Sequence, residues 1–104
     1  MSLRIVKHRK VKRDALQIFA YIGEDNFDAA RRFLQALDAD FKRLSDMPGM
    51  GAHREFNHPG LAGIRSWPVS RFTSYLIFYR ATETELQVLR VIHGARDLEQ
   101  QLLR

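Results

Sequence analysis

Arg65, Arg71, Tyr79, Arg80, Arg90, His93, Arg96 and Asp97 gather the acid, base and cation types of this chain into its second half. Cleaving RNA without a metal needs a base for the 2′-hydroxyl, an acid for the leaving oxygen and cations for the phosphate. Histidine, tyrosine and arginine can fill those roles. If the chain is a ribonuclease, His93, Tyr79 and Arg65 are therefore the candidate catalytic residues. Spacing argues against a single acid/base cluster. Strand alternation puts Arg90 and Ile92 on one face and Leu89, Val91 and His93 on the other, so Arg90 and His93 do not project the same way from a regular strand. The structural alternative has Arg90 and Arg96 pairing with carboxylates such as Asp97, and His93 closing the strand end with a hydrogen bond. His8, His53, His58 and His93 show no helical or hairpin ligand spacing and there is no cysteine, so no metal site is expected. The sequence has no glycine-rich phosphate loop, no H-E-x-x-H and no G-x-S-x-G. Those enzyme classes are excluded, and no cofactor is expected.

The elements that must position these residues are readable from periodicity. Residues 74–80 and 85–93 are the two long apolar, β-branched runs, joined by a polar turn. Leu76, Ile77 and Phe78 in the first run, and Leu86, Val88, Leu89, Val91 and Ile92 in the second, leave neither face wholly polar, as expected of central strands. Residues 3–7 alternate weakly and predict an edge strand with outward charges. Over 10–24, Val11, Ala15, Ile18, Phe19 and Ile22 form one stripe of an amphipathic helix that breaks at Gly23. Asp25 or Asn26 is placed to cap a second helix whose stripe is Ala30, Phe33, Leu34, Leu37, Phe41 and Leu44. Asp28 with Arg32 and Asp38 with Lys42 sit four apart on its other faces, and Met47-Pro48-Gly49 stops it. Residues 49–63 lack a period and predict a loop. Residues 64–69 predict a strand in which Pro68 requires an edge, an end or a bulge. In the tail, 95–104, Leu98, Leu102 and Leu103 suit a short helix or a loosely docked end. The order is β-α-α-β-β-β: an α+β two-layer fold in one domain, 1–104, with an antiparallel helical hairpin on a mainly antiparallel sheet.

The 104 residues carry 17 Lys and Arg against 12 Asp and Glu, a formal charge of +5, and Arg4, Lys7, Arg9, Lys10, Lys12 and Arg13 all precede the first acid, Asp14. That balance suits a polyanionic partner, either nucleic acid or an acidic protein surface. The absence of cysteine fits a reducing compartment, and no run reaches the roughly 20 apolar residues of a membrane span. A cytoplasmic protein with no membrane partner is expected.

Several segments in order resemble the ParE branch of the RelE/ParE toxin superfamily, the toxins of type II toxin–antitoxin (plasmid stabilisation) modules. They are AYIGEDN, FDAARRFLQAL, LSDMPGMG, GIRSWPVSRFTSYLIFYR and LQVLRVIHGARDL, of which the closing RVIHGARDL after YLIFYR is the most specific. The resemblance spans nearly the whole chain. It implies a small toxin with the RelE/ParE fold, neutralised as a hetero-oligomer by a ParD-like antitoxin encoded beside it. It further implies a target: ParE members are associated with poisoning DNA gyrase, whereas RelE members cleave messenger RNA at the ribosome. The RelE chemistry relies on basic and aromatic residues on the sheet and near the C-terminus; here that region reads HGARDLEQQLLR and lacks a terminal tyrosine or histidine cluster. The implied reading is a non-enzymatic gyrase inhibitor whose target-binding residues are Arg65, Arg71, Arg90, His93 and Arg96. The alternatives are a ribosome-dependent endoribonuclease and an inactive toxin kept as a corepressor partner. The antitoxin is expected to be an acidic, amphipathic segment that folds on binding, laid across the helical hairpin 10–44 and the open sheet edge.

Overall fold

The two helices form where their apolar stripes and caps coincide. In the computed structural model, which describes residues 2–95 and 97–104, β1 (Arg4–Lys7) leads into α1 (Arg9–Gly23) and α2 (Phe27–Asp46). His8 caps α1, its Nδ1 accepting from the Lys10 amide at 3.2 Å, and Asn26 caps α2, its Oδ1 accepting from the Ala29 amide at 3.0 Å. Of the two caps the sequence allowed, the chain uses Asn26. Asn26→Ala is expected to destabilise the fold by about 1 kcal/mol, read as a lower urea midpoint at unchanged m-value. The stripe of α2 is buried as its spacing predicts: Phe33, Leu37, Phe41 and Leu44 are each no more than 4% exposed. Each such side chain contributes roughly 1.5–3 kcal/mol of burial.

The helices lie on a five-stranded sheet of order β1-β5-β4-β3-β2, where β2 is Ala52–His53, β3 Arg65–Val69, β4 Phe72–Ala81 and β5 Glu85–His93. The β4–β5 hairpin is its middle, as the apolar runs required. The sheet is mixed, because β1 pairs parallel to β5, from Arg4 opposite Glu85 to Lys7 opposite Val88. The parallel pairing is possible because everything from α1 to β4 serves as the crossover. The expected loop at 49–63 holds the two-residue strand β2, paired at Ala52–Ser66 and His53–Arg65. Two residues are too few to show a period, so that strand could not be read from the sequence.

Two bulges shape the sheet. One falls between Pro68 and Val69, where the register jumps from Pro68 opposite Leu76 to Val69 opposite Phe72. At the other, Phe78 faces Arg90 while Tyr79 faces Val88, leaving Leu89 as the extra residue. The register shift corrects the simple alternation of β5. Leu86, Val88 and Val91 all enter the core beneath the helices, while Leu89 and Ile92 join Phe78, Leu61 and Ile64 in a second cluster. The tail forms α3 (Leu98–Leu102), and Leu98 and Leu102 pack on that second cluster. Asp97 caps α3, its carboxylate accepting from the Gln100 amide at 3.4 Å, and Arg90, one of the two arginines offered as its partner, pairs with Asp14 instead. Among the described residues no helix is long and apolar enough to cross a membrane.

Candidate functional site

β1 covers β5 only as far as Val88. Beyond that point the chain turns into α1, with the His8 amide donating to the Val88 carbonyl at 2.9 Å, and the remaining edge of β5 faces the helix. Asp14, 4% exposed on α1, fills the gap. Its Oδ2 accepts from the Val91 amide at 3.1 Å and from Arg90 Nε at 2.7 Å, and its Oδ1 accepts from Arg90 Nη2 at 3.0 Å. Arg90 Nη1 donates to the Gln101 carbonyl at 2.7 Å. The guanidinium thus wraps the open edge and fastens α1, β5 and the tail together through a two-pronged, charge-assisted contact. Sequence reading missed Asp14 as a structural residue. Its signal was its place in the buried stripe, between Val11 and Ile18, where a carboxylate needs a partner.

Because Arg90 turns around the edge, it and His93 border the same open cavity of about 620 Å³, together with Tyr21, Tyr75 and Arg104. Strand alternation separates the two residues, and the uncovered edge reunites them. His93 is exposed, with its ring edge-on to Tyr75 at 5.4 Å between centroids. Its Nδ1 accepts from the Ala95 amide at 3.2 Å, the strand-closing bond of the structural alternative, so the neutral ring carries its proton on Nε2. His8 and His58 bond the amide two residues on in the same way, His58 to Gly60 at 2.9 Å. Burial, then the neighbouring Tyr21, push the Tyr75 phenol above its ordinary range.

The other candidates lie elsewhere. Tyr79 is fully buried; its hydroxyl donates to the Pro48 carbonyl at 2.6 Å and accepts from the Gly51 amide at 2.8 Å. Arg65, opposite Tyr79 in the ladder, donates from Nη1 to the Gly51 carbonyl at 2.8 Å. Burial raises the Tyr79 pKa, partly offset by the Gly51 amide and the Arg65 charge. Arg80 holds the carbonyls of Ala62 and Gly60 at 3.1 and 3.0 Å. Arg71 is exposed in the β3–β4 turn, and Arg96 lies outside the described residues. The structure brings Arg90 and His93 together and places Tyr79 and Arg65 apart from them, in a latch on the loop before β2.

A second surface feature lies between the helices. Val11, Ala15, Leu16, Leu34, Leu37 and Phe41 floor an open cavity of about 630 Å³ that Lys7, Arg9, Lys12 and one acid, Asp38, also border. Leu16 is 54% exposed there, an apolar residue that a partner could cover.

Residues 5–98 match the family described as ParE toxin of type II toxin–antitoxin system, parDE. Toxin ParE3 of Caulobacter vibrioides is 28% identical over 102 residues, covering 95% of this chain and 94% of that protein. Among solved structures, the chromosomal ParDE toxin–antitoxin system from P. aeruginosa matches with a TM-score of 0.69 at 22% identity, over 88% of this chain and 96% of that one. The toxin–antitoxin complex RelBE2 from Mycobacterium tuberculosis matches with a TM-score of 0.58 at 24% identity, over 89% and 99%. At those identities the two structures speak for the fold.

Proposed function

The chain belongs to the ParE toxin family of type II toxin–antitoxin systems, and from that premise we propose that it inhibits DNA gyrase by binding, without catalysing a reaction. The observation that carries this reading is how the acid/base and cation candidates are used. The Tyr79 hydroxyl has both its hydrogen bonds inside the fold, and Arg65 and Arg90 are tied to Gly51 and to Asp14. A metal-free nuclease would need those groups free to meet the 2′-hydroxyl, the leaving oxygen and the phosphate. Among the described candidates, Arg71 and His93 are the exposed contacts for a target; Arg65 and Arg90 support binding through the fold, so substitutions give graded losses.

We also propose a co-encoded ParD-like antitoxin that holds the toxin inactive. The apolar floor between α1 and α2, beside Lys7, Arg9 and Lys12, suits an acidic amphipathic segment, and both solved relatives are toxin–antitoxin assemblies. Expression of the chain alone is expected to arrest growth with broken chromosomal DNA and intact messenger RNA, and co-expression of the antitoxin to restore growth. Intact DNA with messenger RNA cut at ribosomes would replace this reading by the nuclease; His93→Ala should then lower cleavage by ~10²–10⁴-fold. Antitoxin binding without growth arrest would leave only the corepressor role.

A further inference from the structure

The turn between β3 and β4 is built more firmly than a hairpin of this length requires. Ser70 and Arg71 alone join Val69 to Phe72, which face each other in the ladder. Arg71 has φ 69°, the one positive φ of a non-glycine residue among the described residues. It stands third in the turn, where a positive φ favours glycine or asparagine, and its Cβ is crowded in a way that a glycine would avoid. The strained conformation is held from below. Asp40, fully buried in α2, accepts from the Ser70 amide and from its hydroxyl, each at 2.7 Å. Phe72 packs edge-on against Phe33 at 5.4 Å. A residue kept in a disfavoured conformation by its neighbour's hydrogen bonds to a buried carboxylate points to a side chain that is needed where it stands.

Arg71 borders an open cavity of about 620 Å³ between the turn and α2, with Arg32, Gln35, Ala36, Ser70 and Phe72 in its wall and no carboxylate among its lining residues. Arg32 lies 3.9 Å from Asp28, whose other oxygen already holds Arg31 at 3.0 Å. Asp40 is turned to Ser70, with Arg43 at 3.8 Å. Two arginines and a glutamine therefore line a recess with no carboxylate in its wall. We propose that this recess binds a carboxylate, the side chain of an aspartate or glutamate from an acidic partner segment, held between Arg32 and Arg71. Ala36 and Phe72 suit the methylene stem of such a side chain. A nucleic-acid phosphate fits less well, because a backbone track needs a stripe of cations, and the next charges along α2, Asp28 and Arg31, pair with each other.

The test needs neither gyrase nor antitoxin. The arginine Nε–Hε signals of the labelled chain are followed by NMR while N-acetylglutamate, inorganic phosphate or sodium chloride is added in steps of equal ionic strength. N-acetylglutamate is expected to shift Arg32 and Arg71 together and saturably, and Arg71→Gly to weaken the response at Arg32 by at least ~10-fold. The same variant should melt roughly 4–8 °C higher, because glycine relieves the left-handed turn. Equal shifts with chloride, an unchanged Arg32 response in Arg71→Gly, or tighter binding of phosphate than of N-acetylglutamate would each overturn the assignment.

Discussion

Arg90→Met is expected to destabilise the chain by about 3–5 kcal/mol, because it leaves the buried Asp14 carboxylate without its cation. That is a large part of the roughly 5–15 kcal/mol that holds a domain of this size folded. The two side chains are 11% and 4% exposed, so water cannot take over for the guanidinium. The double variant Asp14→Asn with Arg90→Met removes the buried charge and keeps an amide oxygen for the Val91 N–H. It should recover much of the loss, giving a coupling between the two sites well above the few tenths of a kcal/mol of independent positions. Urea unfolding of the four proteins measures that coupling. Losses that simply add would mean that the pair is not the clamp the distances describe. The double variant also bears on function. If it regains growth arrest along with stability, Arg90 serves the toxin through the fold and not as a contact with its target.

Gly51→Ala is expected to be at least as damaging, for a different reason. An added Cβ would stand 2.7 Å from Cε1 and 2.8 Å from Cζ of Tyr79, so the buried ring or the loop must move. Overpacking of this kind costs about 1–3 kcal/mol. The displaced hydroxyl also abandons the Gly51 amide and the Pro48 carbonyl, at about 1–3 kcal/mol for each group left buried and unbonded. Tyr79→Phe isolates the hydrogen-bond part and carries a pH signature. Burial raises the Tyr79 pKa in the folded state, so above the free phenol's value of about 10 the unfolded chain gives up its proton first. Stability is complete below that pH and falls as the pH climbs toward the folded pKa. Melting temperatures between about pH 9 and 11 should decline more steeply for the native chain than for Tyr79→Phe, with a remaining slope from Tyr75, whose pKa is also raised. Matching slopes would mean that Tyr79 is not held neutral by the fold.

What the sequence made legible was whatever repeats. The stripe from Ala30 to Leu44 and the central hairpin each follow from a period, and Pro68 falls at a bulge, one of the three places that its missing amide allowed. The Leu89 bulge was hidden because both faces of β5 are apolar, so a one-residue slip leaves no polar residue out of place. The parallel docking of β1 was hidden because pairing direction depends on contacts across some 80 residues of chain. The candidate site was legible as a list of residue types and not as an arrangement. Arg65, Arg80 and Arg90 grip backbone carbonyls of Gly51, Ala62, Gly60 and Gln101, and a carbonyl leaves no trace in the residue type that carries it. An arginine tied down in this way reads the same as one free for a partner. Only Asp14 offered a clue, as an acid inside an apolar stripe.

The most direct test of gyrase inhibition is a supercoiling assay with the purified, folded, antitoxin-free chain. Supercoiling that fails as toxin is added, with cleaved DNA accumulating and His93→Ala retaining at least part of the effect, is the expected result. Gyrase that supercoils normally at saturating toxin, while the same preparation cuts ribosome-bound messenger RNA, would contradict it.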